Sequence, residues 1–209
     1  NGVKWINVVC DTALIGSGSQ NFETIPADPN LPIYSETGSG FYTTGSGDYP
    51  NTPNYASGVR GYGVNNGAAT LILGPVNVSA NSDSTFKLRL AGFALNQSGN
   101  GMDNPDTVTI SISTTGPGGV FSEELVIHGG SLGDSNNKWG FNANRAVATA
   151  YDGNDTPTSY ISGDGITNGI SYLEITGIPA TANLAIKIEL LNDKANELWV
   201  IDDAQLIAN

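Results

Sequence analysis

The chain has 209 residues, one cysteine, one histidine and a formal net charge of −12, from 8 Lys and Arg against 20 Asp and Glu. That balance argues against nucleic acid, which needs a basic footprint to neutralise phosphates, and against anionic membrane surfaces. The lone Cys10 excludes an internal disulfide framework and a cysteine-rich zinc site, and no apolar run is long enough to insert into a membrane.

Helical periodicity is nearly absent. The 27 Gly and 10 Pro cut the chain into short β-branched runs, the pattern of an all-β sandwich or barrel. The first run, 3–9, is apolar on both faces: Val3, Trp5 and Val9 point one way, Ile6, Val8 and Cys10 the other. Such a strand suits a place between two layers. Gly16-Ser17-Gly18-Ser19-Gln20 then reads as a flexible linker, so residues 1–20 stand apart from a body spanning 21–209. Two roles are open for this extra N-terminal strand. It folds back into its own sandwich, or it leaves along the linker to complete the sheet of another copy or of a neighbouring surface protein. In the second case Val3, Trp5, Ile6, Val8 and Val9 form the assembly strand, and head-to-tail addition yields filaments.

Further strands are expected at 22–25, 69–73, 84–94, 107–114, 121–128, 171–176, 185–191 and 198–207. Alternation is clearest in two of them: Phe86, Leu88 and Leu90 against Lys87 and Arg89, and Val108, Ile110 and Ile112 against Thr109, Ser111 and Ser113. The segments 26–66 and 129–169 read as long loops, a length that is usually functional or poorly ordered. They carry aromatics, among them Tyr34, Tyr42, Tyr49, Tyr55, Tyr62 and Trp139. Such rings can stack on sugar faces beside hydrogen-bonding Asn and Gln, or pack the loops onto the sandwich.

Carboxylates offer the remaining chemistry. Strict alternation in the last strand places Val200, Asp202, Ala204 and Leu206 on one face, apolar but for Asp202, which is costly to bury without a cation or several donors. Glu23, near the start of the body, could meet Asp202 through sheet closure and form an oxygen-rich calcium site, with Asp203 assisting. A solvated strand end explains the two aspartates equally simply. Asp103 and Asp106, flanked by Gly, Asn and Pro, form a second possible metal loop, although turn chemistry also favours these residues there. Catalysis finds little support. His128 ends an apolar strand without a nucleophile motif, and Glu123-Glu124 and Asp202-Asp203 are adjacent pairs that point to opposite faces. The expectation is a non-enzymatic protein, with a glycoside-active enzyme as a remote alternative.

From residue 21 onward the chain resembles the calcium-stabilised jelly-roll modules of secreted and cell-surface bacterial proteins, shared by carbohydrate-binding modules and the MAM (meprin/A5/mu) adhesion domain. Asn21-Phe22-Glu23 and Trp199-Val200-Ile201-Asp202-Asp203 carry the likeness at the two ends. Between them, the stretches from Gly99 to Val108 and from Asn136 to Phe141 look like segments of surface domains in Bacteroidetes-like bacteria. The resemblance implies an antiparallel two-sheet jelly-roll sandwich with a structural calcium ion held by a Glu of the first strand and an Asp of the last, which match Glu23 and Asp202. With the composition, it leads to the expectation of an extracellular, non-catalytic structural or adhesive subunit that partners copies of itself or another surface protein. A lectin-like module binding polysaccharide through the aromatic loops is the alternative.

Overall fold

A computed structural model describes residues 14–23, 31–43, 57–94, 102–130, 145–161, 168–195 and 197–209. No helix occurs among them; the strands form two seven-stranded sheets. The first sheet contains β1 (Leu14–Ile15), β3 (Ile33–Gly38), β6 (Gly67–Asn77), β8 (Thr107–Ser113), β9 (Ser122–His128), β11 (Thr158–Ile161) and β13 (Leu184–Asn192). The second contains β2 (Gly18–Gln20), β4 (Phe41–Thr43), β5 (Gly61–Val64), β7 (Asp83–Ala94), β10 (Arg145–Ala150), β12 (Asn168–Pro179) and β14 (Glu197–Ala208). The chain changes sheet at nearly every step, which is the winding of a jelly roll.

Alternation explains why these runs pair as they do. Leu71, Leu73, Ile110, Ile186 and Ile188 of the first sheet meet Phe86, Leu88, Leu90, Trp199, Ile201 and Leu206 of the second in one continuous core. Lys87 and Arg89 face outward, so a one-residue slip would bury charge along the whole of β7. In the first sheet β6 and β13 lie side by side, followed by β8 and β9; in the second, β7 lies between β12 and β14.

Four expectations need correction. The sheets are mixed rather than purely antiparallel: β1 runs parallel to β6, β10 to β12 and β11 to β9, each at a sheet edge. The supposed linker is built into the sandwich, because Gly18, Ser19 and Gln20 pair with Leu206, Gln205 and Ala204. Gly16 N also donates to Asn77 O, and Ser17 Oγ accepts from Ala208 N. No strand begins at Phe22. That residue sits in a bend with φ +56° and drops its ring into the core, and Glu23 follows outside any strand. Finally, both supposed long loops contain strands: β3, β4 and β5 in the first, β10 and β11 in the second. These are short, and four of the five pair with a strand distant in sequence, so their own residues carry a weak periodic signal. The assembly strand with Val3, Trp5, Ile6, Val8 and Val9 lies outside the described residues, as do Tyr49, Tyr55 and Trp139.

Candidate functional site

The last strand organises the second sheet. On one side β14 pairs with β7 along its length; the other side is shared by β5, opposite Trp199–Ile201, and β2, opposite Ala204–Leu206. Between the two partners the register against β7 shifts, and Asp203 adopts φ +46°. This bulge changes the predicted facing. Trp199, Ile201, Ala204 and Leu206 all enter the core, whereas Val200 joins a separate outer cluster with Ala91 and Leu198. Asp202 therefore shares no face with Ala204 and Leu206.

Asp202, Asp203 and Glu23 close the gap between β2 and β5 by holding the segment 57–60. Asp202 Oδ2 accepts from Ser57 N at 2.7 Å and Asp203 Oδ1 from Ser57 Oγ at 2.8 Å. Glu23 Oε1 accepts from the amides of Val59 at 2.7 Å and Arg60 at 3.3 Å. The Arg60 guanidinium donates to Phe22 O at 3.0 Å and Glu23 O at 2.9 Å. Arg89 Nη1 stands 3.9 Å from Asp202 Oδ2. Burial pushes the Asp202 carboxyl up to about 6, while the amides of Ser57 and Asp203 pull it down. The structure thus brings Glu23, Asp202 and Asp203 to one junction. Amide and hydroxyl donors meet the three carboxylates there and Arg89 stands beside Asp202, while Arg60 binds the backbone carbonyls of Phe22 and Glu23.

Beyond the bulge the outer face of the second sheet lies open. Tyr172 and Glu174 of β12, Lys87 and Arg89 of β7, and Asp203 and Gln205 of β14 line a cleft of about 320 Å3. Register aligns them in rows: Tyr172 opposite Arg89, and Glu174 opposite Lys87, which in turn faces Gln205. Tyr172 is 45 % exposed, and Arg89 Nη1 has no hydrogen-bond acceptor. Sequence reasoning passed over Tyr172 because it searched the loops. The alternation Tyr172, Leu173, Glu174, Ile175 was sufficient to place it outward.

The described loop tyrosines do other work. Tyr62 is a core residue; its hydroxyl donates to Glu36 Oε1 at 2.9 Å and its ring meets Phe22. It cannot offer a face to a sugar, which corrects the expectation. Tyr42 stacks edge-on against Tyr62 at 5.5 Å and carries the Arg60 guanidinium 5.1 Å from its ring centre. Tyr34, on β3 of the other sheet, is exposed.

A third group assembles where the chain crosses from β13 of the first sheet to β14 of the second. Carboxylate oxygens of Asp103, Asp106 and Asp193 lie within 4.8 Å of one another. Asp106 ties the turns together: Oδ2 accepts from Asp103 N at 2.7 Å and Oδ1 from Asp193 N at 3.0 Å. Gly129 N donates to Asp106 O, and a side chain at Gly129 would strike the Asp103 backbone at 2.7 Å, so only glycine permits this approach. Glu197 joins through a hydrogen bond with Asp106. Burial and the Asp106 charge push the Glu197 carboxyl up to about 9, making it the proton donor of that pair. Burial and the neighbouring aspartates push Asp103 up to about 6. Asp193 and Glu197 were not anticipated. They come from the β13-to-β14 crossing about 90 residues downstream of Asp103, and no local spacing announces them.

Glu123 and Glu124 lie on β9 in the first sheet, away from Asp202 and Asp203 in the second. Glu124 Oε2 accepts from Asp152 N. His128 closes β9 opposite Thr107.

No protein-family model matches the chain, and no curated protein matches it by sequence. Among solved structures it is similar to the K1 adhesin domain of Lys-gingipain from Porphyromonas gingivalis W83, with 12 % identity, a TM-score of 0.49 and coverage of 92 % of this chain and 98 % of that one. The K2 adhesin domain of Lys-gingipain follows at 14 % identity and a TM-score of 0.47, covering 92 % and 98 %. TmCBM61, solved in complex with β-1,4-galactotriose, is similar at 12 % identity and a TM-score of 0.44, covering 90 % and 99 %. The two-sheet all-β sandwich of this chain is similar in architecture to these adhesin domains and this carbohydrate-binding module.

Proposed function

We propose that the chain is a non-catalytic adhesive module of an extracellular or cell-surface protein, and that it binds polysaccharide on the open face of its second sheet. The observation that carries this reading is the exposed Tyr172, aligned with Arg89 in a cleft also lined by Lys87, Glu174, Asp203 and Gln205 and floored by the strand segments at Leu88 and Leu173. An aromatic ring gives a flat apolar surface for the C–H face of a sugar ring. Sugar hydroxyls need donors and acceptors together. Lys87 and Arg89 supply donors, Glu174 and Asp203 acceptors, and Gln205 both. At about 320 Å3 the cleft stands at the lower end of the range for ligand pockets and has room for a short sugar unit. The same residues stand on three adjacent strands, so the surface is held rigidly.

A glycan array followed by titration calorimetry tests this. Several related glycans should bind, and Tyr172→Ala should weaken them roughly tenfold, about 1.4 kcal/mol. Tyr172→Phe should retain most of the affinity, because it keeps the ring. An array without hits, or hits indifferent to Tyr172→Ala, would refute the reading.

A further inference from the structure

We propose that Asp103, Asp106, Asp193 and Glu197 bind one calcium-class divalent cation, which locks the 102–106 turn onto the point where the chain crosses from β13 of the first sheet to β14 of the second.

Three observations converge on this. First, oxygens of three carboxylates already lie within 4.8 Å of one another, and two ligands on opposite sides of a calcium ion stand about 5 Å apart. Second, Asp103 Oδ1, Asp193 Oδ1 and Glu197 Oε2 are buried oxygens without any hydrogen-bond donor. Asp103 is only 3 % exposed and Glu197 only 2 %, so both side chains are withdrawn from bulk solvent. Elsewhere among the described residues, one further carboxylate oxygen, Glu124 Oε1, shares that condition. Third, the set is all oxygen. Hard cations prefer such donors, and calcium tolerates the irregular geometry that two turns and a strand end impose.

The neighbouring charges do not provide an alternative. Lys194 Nζ sits 2.7 Å from Asp193 Oδ2, but on the exposed side of that carboxylate. The contrast with the Glu23–Asp202 junction is direct: there every named carboxylate accepts from an amide or hydroxyl, whereas here Asp103 Oδ1, Asp193 Oδ1 and Glu197 Oε2 have no donor. The surroundings are otherwise complete. Asn192 Oδ1 accepts from the amides of Asn66 and Lys194, and Asn65 Nδ2 donates to Ala195 O and Glu197 O.

Thermal melts and isothermal titration with calcium chloride, against chelator-treated protein, provide the test. Millimolar calcium should raise the wild-type melting temperature, and titration should show one site. Asp103→Asn and Glu197→Gln should each lower calcium affinity at least tenfold. In chelator Asp103→Asn should melt at or above the wild-type temperature, since it removes a buried carboxylate from beside Asp106 and Asp193. Glu197→Gln should melt close to wild type, since an amide replaces a protonated carboxyl that hydrogen-bonds Asp106. A merely structural hydrogen-bonding role would lower both. Asp202→Asn should keep the full calcium response. The proposal is overturned if calcium neither binds nor shifts the wild-type melt. It is equally overturned if Asp202→Asn abolishes the response while Asp103→Asn keeps it, or if both cluster variants fail to fold in chelator.

Discussion

Asp203 shows how one residue redirects a surface. A left-handed backbone at a residue with a Cβ costs roughly 1–2 kcal/mol, and Asp and Asn tolerate it best among non-glycine residues. Here it inserts the bulge that turns Asp202 away from the core while returning Ala204 and Leu206 to it. Asp203→Val should therefore destabilise the protein by about 2 kcal/mol, because a β-branched side chain resists this conformation and the Ser57 contact is lost. Asp203→Asn should cost under about 0.5 kcal/mol, since it keeps both the tolerance and an acceptor oxygen. Urea denaturation of the two variants separates these outcomes; equal losses would remove the bulge from the account. The carboxylate pair itself was legible in the sequence, but its facing was not, because strict alternation holds only where the register is unbroken.

At the scale of elements, the segment 16–20 carries the composition of a linker and the structure of a strand. Its Gly and Ser contribute little apolar area, so the signal for β2 lies in its partner, the edge that β14 leaves free beyond β5. Gln20 adds a buried anchor, with Nε2 donating to Leu31 O and Oε1 accepting from Phe22 N. Hydrogen exchange gives the check. The ladder-bonded amides of residues 18–20 should exchange far more slowly than an unstructured chain, approaching the rate set by local opening of β14. Exchange at the free-peptide rate would restore the linker. The same logic accounts for β10 and β11, whose parallel partners β12 and β9 lie in other parts of the chain.

For the whole molecule, the net charge of −12 acts against compactness, and the acid group at the β13-to-β14 crossing concentrates it locally. Raising sodium chloride from about 10 mM to 150 mM shortens the screening length from roughly 30 Å to 8 Å. In chelator this should raise the melting temperature by relieving self-repulsion between carboxylates. A melting temperature that falls with salt would show that attractive pairs such as Lys87–Glu174 and Lys187–Glu189 outweigh the repulsion. Among the described residues no helix is long and apolar enough to cross a membrane.

The sequence by itself determined the all-β class, the long central strands and their inward faces. Phe86, Leu88 and Leu90, or Val108, Ile110 and Ile112, encode their burial through a period of two, which is local information. It also marked Asp103 and Asp106 as a pair, because only two residues separate them. Only the tertiary structure decided that Asp193 and Glu197 join that pair, that Tyr172 and Arg89 share an open face, and that arginines serve Glu23 and Asp202. Each of these depends on strand order and register across segments far apart in the chain. Hydrophobic pattern fixes which face a residue takes, but the partner across the sheet is set by the packing of the whole sandwich.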